Sequence, residues 1–255
     1  MKKFSSLLHN LILTPSRNTK IKLLQDYFKT LDINRAYALA ILSNQISFQF
    51  IKASKLRELV YEKVDQQLFD FSYDYVGDLA ETISLIWPTK KDGKSQNLST
   101  LIENIKKIKK SEINTDFSKI LSQLSNNERW TLIKICTGGL RIGVSERLVK
   151  TALADLYNKS VNEIEEIWHG LEFPYENLFQ WLKNETSKPK IDFKKLFHPM
   201  MLANPIDEET DFKRLNASEF QAEYKWDGIR VQLMVSSKSV SLYSRTGDNI
   251  SSAFP

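Results

Sequence analysis

A mainly α fold that gives way to β structure near its end is what this sequence predicts, and three observations predict it. Apolar residues recur at three- and four-residue spacing through most of residues 4–183, as on the buried faces of successive helices. A polar, charged stretch with one proline, KNETSKPKIDFKK (183–195), then interrupts the pattern. Beyond it Ile229, Val231, Leu233 and Val235 alternate with Arg230, Gln232, Met234 and Ser236, which is the period of a strand, and VSLYSR returns after SSKS as a second strand. The expected organisation is an all-helical domain over 1–183, a linker over 184–195 and the opening of a sheet-based domain over 196–255.

The helical elements follow one another in the same style. Phe4, Leu7, Leu8, Leu11 and Ile12 give the first apolar face. In NTKIKLLQDYFKTL, Asn18 or Thr19 is the expected cap ahead of Ile21, Leu24, Tyr27 and Phe28. INRAYALAILSN, SKLRELVYEKV, YVGDLAETISLIW and LSTLIENIKKIKK read as further helices. Trp87-Pro88 closes one of them, and PTKKDGKSQN is an expected exposed basic loop. NERWTLIKICTGGL is a helix stopped by Gly138-Gly139. The basic end IKKIKK (105–110) reads as a solvated face, although it has the charge to lie along phosphates. The tryptophans and the series Trp168, Leu171, Phe173 are expected in the core.

Composition narrows the function classes. At 255 residues, 42% hydrophobic and 26% charged, the chain folds and has room for two ordinary domains. A net charge of +5 is compatible with nucleic-acid contact without requiring it. The single cysteine, Cys136, excludes a disulfide framework and a cysteine-rich zinc site, and its apolar neighbours make it a buried thiol in a reducing compartment. His9, His169 and His198 lack metal-ligand spacing, and His169 and His198 read as structural. Polar residues interrupt the apolar N-terminal run, and no run reaches membrane-spanning length, so a cytoplasmic location is expected.

Three short stretches carry chemistry. In EYKWDGIRVQL (223–233), Lys225, Asp227, Gly228 and Arg230 fall within six positions on an expected strand edge. A lysine is nucleophilic only when neutral, and a reference pKa of about 10.4 leaves few neutral amines at physiological pH. A neighbouring cation such as Arg230, or partial burial, favours the neutral form. Gly228 permits a tight turn and close approach of a ligand, and Asp227 can hydrogen-bond that turn together. The bland alternative is a hairpin edge with solvated charges.

In YSRTGDNISSAFP (243–255), Arg245 offers a guanidinium fork suited to phosphate and Gly247 lets the chain turn, although a plain hairpin turn has the same letters. In GGLRIGVSERLVKTALADLY (138–157), glycines crowd a turn before a helix. Ser145 is a natural N-cap, Glu146 suits the first turn, and Leu148, Val149, Ala152, Leu153 and Leu156 supply the buried face. Such a turn can present N–H groups to a phosphate between Arg141 and Arg147, and it is equally an ordinary helix connection.

The K-x-D-G-x-R stretch resembles the nucleophile motif of covalent nucleotidyltransferases: DNA ligases, RNA ligases and mRNA capping enzymes. HPMMLANP (198–205) resembles the lead-in that ATP-dependent DNA ligases carry ahead of that lysine, and YSRTG resembles their S-R-x-G segment. LRIGVSERLVKTALA closely resembles the L-R-I-G-x-x-E segment of their all-helical DNA-binding domain, which RNA ligases and capping enzymes lack. NAD-dependent ligases share the lysine motif but have a different N-terminal domain and a cysteine zinc finger.

The resemblance implies a bacterial or archaeal type of ATP-dependent DNA ligase. Its expected fold is mainly α, a helical DNA-binding domain followed by the first strands of an α+β, ATP-grasp-like nucleotidyltransferase (adenylation) domain. Lys225 is then the nucleophile, and Glu223, Tyr224, Lys225, Arg230 and Arg245 form the nucleotide site, with Glu223 recognising adenine and Arg230 contacting the ribose. Gly139, Arg141, Gly143, Ser145 and Arg147 are the DNA-binding set. ATP and Mg2+ are the implied cofactors, nicked double-stranded DNA the partner, and a monomer the expected state.

Asp207 and Asp248 match no family position, so no metal ligand is assigned. The family's remaining nucleotide motifs and OB-fold would lie beyond Pro255. The expectation is that this chain binds duplex DNA, leaves an apolar sheet face uncovered and seals nicks poorly or not at all by itself. The alternatives are a non-catalytic DNA clamp and an RNA ligase or capping-type enzyme.

Overall fold

The computed structural model describes all residues except 31–33, 45–47, 49, 89–95, 110, 139, 192–197, 199–203, 236–239, 246–249 and 255. Among the described residues the apolar spacing resolves into twelve α-helices and one β-hairpin, the mainly α architecture expected. These residues fall into two compact units, 1–164 with 172–187, and 165–171 with 188–255.

In the first unit, α1 (Lys2–Leu13) buries Phe4, Leu7, Leu8 and Leu11. Ile12, expected on that face, is exposed. The helix α2 (Arg17–Phe28) starts earlier than expected. Ser16, not Asn18 or Thr19, holds the extended cap conformation, and its hydroxyl accepts from the Thr19 N–H at 3.3 Å. Next come α3 (Arg35–Leu42) and α4 (Ala53–Tyr61).

The stretch YVGDLAETISLIW, read as one helix, is two. Gly77 takes φ 74° and ends α5 (Gln66–Val76), and Asp78 then caps α6 (Leu79–Ile86) by accepting from the Glu81 N–H at 2.9 Å. Trp87 is extended and closes α6 before Pro88, as expected. The N-terminus of α7 (Leu98–Lys106) lacks a cap from its own Asn97. It is capped across the fold, because Asn34 Oδ1 accepts from the Ser99 N–H at 2.9 Å. In the basic end of α7, Lys106 pairs with Glu103 at 2.7 Å. Lys110 and most of the PTKKDGKSQN loop lie outside the described residues.

The helices α8 (Ile113–Gln123) and α9 (Asn126–Thr137) meet α6 around a buried cation. Arg129 is fully buried on α9, and its guanidinium donates to Leu121 O (2.9 Å), Leu124 O (2.9 Å), Ser84 O (2.8 Å) and Trp87 O (3.3 Å). These carbonyls end α8 and α6, where helix hydrogen bonding leaves acceptors without a partner. One planar fork thus satisfies two helix C-termini whose dipoles favour a cation. Burial pulls the Arg129 pKa down to about 10, which still leaves it charged at neutral pH. Cys136, further along α9, is buried and free, as expected, and burial pushes its thiol pKa up.

Asp78 adds a pH-dependent tie between α6 and α9. Partial burial pushes its carboxyl up, but hydrogen bonds from Lys134 and from the Glu81 and Ala80 N–H groups outweigh this and hold it below the usual carboxylate range. The folded state therefore resists protonation more than the unfolded chain does. Its stabilising effect is complete above the ordinary pKa of about 4 and is lost as pH falls through the lowered folded value. Asp78→Ala is expected to cost about 1–2 kcal/mol near neutral pH in urea unfolding, since cap and ion pair go together. The gap from wild type should narrow in acid, and a gap independent of pH would refute the assignment.

The remaining helices are α10 (Glu146–Tyr157), α11 (Val161–Trp168) and α12 (Glu176–Leu182). Trp87, Trp168 and Trp181 are buried as expected, whereas Phe173 and Trp226 are exposed.

In the second unit, β1 (Val231–Val235) and β2 (Val240–Ser244) pair antiparallel, with Leu233 opposite Leu242 and Val231 opposite Ser244. The expected SSKS turn lies outside the described residues. The outer edge of β2 is partly closed, because the Leu242 N–H donates to Ser251 Oγ (2.9 Å) and its carbonyl accepts from the Ile250 N–H (2.8 Å). Val231, Leu233, Val235 and Val240 are exposed, an uncovered apolar face of the kind expected.

Candidate functional site

The glycine turn is built by the helices on either side of it. Gly138 takes φ 73° and ends α9, which satisfies the expected stop, while Gly139 lies outside the described residues. Ile142 is buried and anchors the turn between exposed Arg141 and Gly143. Gly143 has φ 63°, a conformation that disfavours any side chain. Ser145 caps α10 as predicted, its hydroxyl accepting from the Leu148 N–H at 3.2 Å. Leu148, Val149, Ala152 and Leu153 form the buried face, and Leu156 is half-buried.

The electrostatics of this end are nearly all positive. Arg141 and Arg147 are exposed. Glu146, the acid in the first turn of α10, pairs within the helix with buried Lys150 at 2.7 Å. Sequence reasoning missed a third participant. Lys20 of α2 donates to Gly143 O at 2.9 Å and to Ile142 O at 3.3 Å, across more than a hundred residues of chain. At the far end Tyr157 Oη donates to Phe28 O (3.5 Å), so α2 and α10 lie side by side and run in the same direction. No local signal in the sequence marks Lys20.

The second site is the opening of the hairpin. Residues 221–230 are irregular and exposed, so the lysine motif precedes the strand rather than lying on its edge. Period-two pairing starts only at Val231, and Ile229 and Arg230 fall just before it. Lys225 is open to solvent together with Glu223, Tyr224, Asp227 and Arg230, so the partial burial considered for it is not present. The Tyr224 and Trp226 rings, both about nine-tenths exposed, lie 6.2 Å apart at 50°. Gly228 does not have a left-handed φ, and a Cβ there would meet nothing within 4 Å, so its own fold does not demand glycine.

By register, Arg230 and Arg245 both fall at one end of the hairpin. The outermost pair is Val231 with Ser244, and the two arginines flank it directly. Gln232 ties in the lead-in: its Oε1 accepts from the His198 N–H at 2.7 Å and its Nε2 donates to His198 O at 3.3 Å. The rest of that lead-in up to 203 lies outside the described residues, as do Gly247 and Asp248 after Arg245. Asp207, set aside as a metal ligand, accepts from the Thr210 and Glu209 N–H groups at 3.0 Å, and these bonds hold its carboxyl below the usual range. Among the described residues no cluster of His, Cys, Asp or Glu is placed to hold a metal ion.

The family model for the DNA ligase N terminus matches residues 1–154, and that for the ATP dependent DNA ligase domain matches residues 200–255. The chain therefore belongs to the DNA ligase family. It is 36% identical over 143 residues to a DNA ligase of Nitrosopumilus maritimus (strain SCM1), covering 54% of this chain and 24% of that protein. It is 32% identical over 141 residues to a probable DNA ligase of Koribacter versatilis (strain Ellin345), covering 53% of this chain and 23% of that protein. The match to DNA ligase 1 of Korarchaeum cryptofilum (strain OPF8), 27% identical, covers 100% of this chain and 49% of that protein. The chain thus spans from about a quarter to half the length of the curated relatives it matches.

Proposed function

We propose that this chain is the DNA-gripping and nucleophile-bearing portion of an ATP-dependent DNA ligase that seals nicks in duplex DNA through a lysyl-AMP intermediate. The observation that carries the reading is the order of its parts: a cationic turn at the N-terminus of α10, then an exposed lysine motif, then Arg230 and Arg245 at the same hairpin end. Residues 1–183 act as the DNA-binding domain, 184–195 as linker and 196–255 as the start of the adenylation domain.

In the proposed reaction the neutral Lys225 amine attacks the α-phosphorus of ATP. A P–N bond forms, the bond to pyrophosphate breaks, and the amine proton leaves to solvent. AMP then passes to the 5′-phosphate at the nick, and the 3′-hydroxyl displaces it to join the strand. Arg230 and Arg245 supply charge to the phosphates, where positioning and electrostatics are the main terms. Glu223 and Tyr224 contact the nucleotide. Magnesium offsets phosphate charge in such chemistry, and no residue of this chain is assigned as its ligand.

Gly139, Arg141, Gly143, Ser145 and Arg147 hold the DNA backbone, with α10 N–H groups and guanidinium forks directed to phosphates. The protein works in the cytoplasm, a compartment that suits its buried free thiol, and it works as a monomer. Among the described residues no helix is long and apolar enough to cross a membrane. The open setting of Lys225 favours a second reading for this chain by itself, a DNA clamp with little transfer activity.

Fluorescence anisotropy with a labelled nicked duplex tests the grip. Arg141→Ala and Arg147→Ala should each weaken binding similarly on any sequence and lower the salt slope by about one. Unchanged affinity in both variants would remove this turn from the interface.

A further inference from the structure

We propose that Lys20 belongs to the same grip as a positioning residue, masking the carbonyls of the glycine turn and adding its own cation to the phosphate-facing end of α10. The inference rests on the reading of that turn as the DNA contact. Its own evidence is geometric. The Lys20 ammonium bonds two successive carbonyls, Ile142 O and Gly143 O, and a Cβ on Gly143 would come within 2.6 Å of it.

Two features separate this from a plain tether. Carbonyl oxygens carry partial negative charge, so a turn that exposes them next to N–H groups presents mixed sign to a phosphate. An ammonium seated on both carbonyls leaves the turn net positive, whereas a neutral donor would only hold its shape. The charge also stays available: among the described residues no carboxylate pairs with Lys20, and the first turn of α2 holds no acid. Arg17 stands exposed at the start of the same turn of α2. Cations from two segments far apart in sequence thereby converge on one end of the paired helices α2 and α10.

Lys20→Met keeps the aliphatic stem and removes the charge and the donors, and Lys20→Arg restores both. With the whole chain and a labelled nicked duplex across a salt series, Lys20→Met should raise Kd about five- to tenfold and lower the salt slope by about 0.9. Lys20→Arg should recover most of the affinity and the slope. Melting curves on each variant show whether folding is intact.

Arg141→Ala weakening binding while Lys20→Met matches wild type would overturn this inference and leave the turn as the grip. Loss of affinity in Lys20→Met with an unchanged slope, and no recovery in Lys20→Arg, would reduce Lys20 to a tether and overturn it as well. No effect of Arg141→Ala, Arg147→Ala or Lys20→Met on wild-type-level binding would overturn the reading of the turn itself, and the inference with it.

Discussion

Lys225→Ala is expected to abolish whatever label the chain takes from α-labelled ATP. Incubation with magnesium followed by denaturing electrophoresis is the measurement. Removing the amine removes the only atom proposed to form the P–N bond, so the loss is complete rather than partial. Lys225→Arg is the informative control, because it keeps a cation at the position but offers no amine that deprotonates near neutral pH. It too should show no label.

Arg230→Ala and Arg245→Ala should instead leave a slower reaction. Loss of one preorganised donor to a phosphoryl group costs roughly a hundredfold to a thousandfold in rate. The adduct should be lost in acid, as a phosphoramidate is. Label on Lys225→Ala equal to wild type would take Lys225 out of the chemistry. No label on wild type either would leave the clamp reading for this chain and confine its test to DNA binding.

Arg129→Ala should destabilise the helical unit by about 3–5 kcal/mol, among the largest effects a single substitution produces. The variant takes the guanidinium donors from the carbonyls of Ser84, Trp87 and Leu124, leaves Leu121 O with only the Leu124 N–H, and opens a large hole on α9. Each buried acceptor without a partner costs about 1–3 kcal/mol, reduced to the extent that water enters the space. In a unit of this size the change corresponds to a fall in Tm of roughly 10 °C. Arg129→Lys should recover only part of this, because one compact ammonium cannot span both helix ends as a planar fork does. A melting curve for Arg129→Ala within a degree or so of wild type would sink the assignment.

Much of the local structure was legible. Ser145 as cap, Gly138 as stop, Trp87-Pro88 as terminus and the hairpin's period-two pattern all follow from side-chain and backbone geometry within a few residues. Misreadings were local too. Asn18 and Thr19 lost the cap to Ser16, and the continuous apolar pattern across YVGDLAETISLIW hid the break that Gly77 and Asp78 make. The alternation runs back to Ile229 and so gives the lysine motif the look of a strand, but without pairing partners residues 221–230 are irregular.

The sequence by itself determined the helical class, the late hairpin and the motif order that marks the family, because periodicity and spacing are properties of neighbouring residues. Only the tertiary structure decided that Arg129 is buried against carbonyls of two other helix ends. It alone set Lys20 on the carbonyl of Gly143 and fixed the register that leaves Arg230 and Arg245 next to the outermost strand pair. Such partners are chosen by how α2 packs on α10 and how two strands register, and the energy of that choice comes from burying apolar faces rather than from the polar residues themselves.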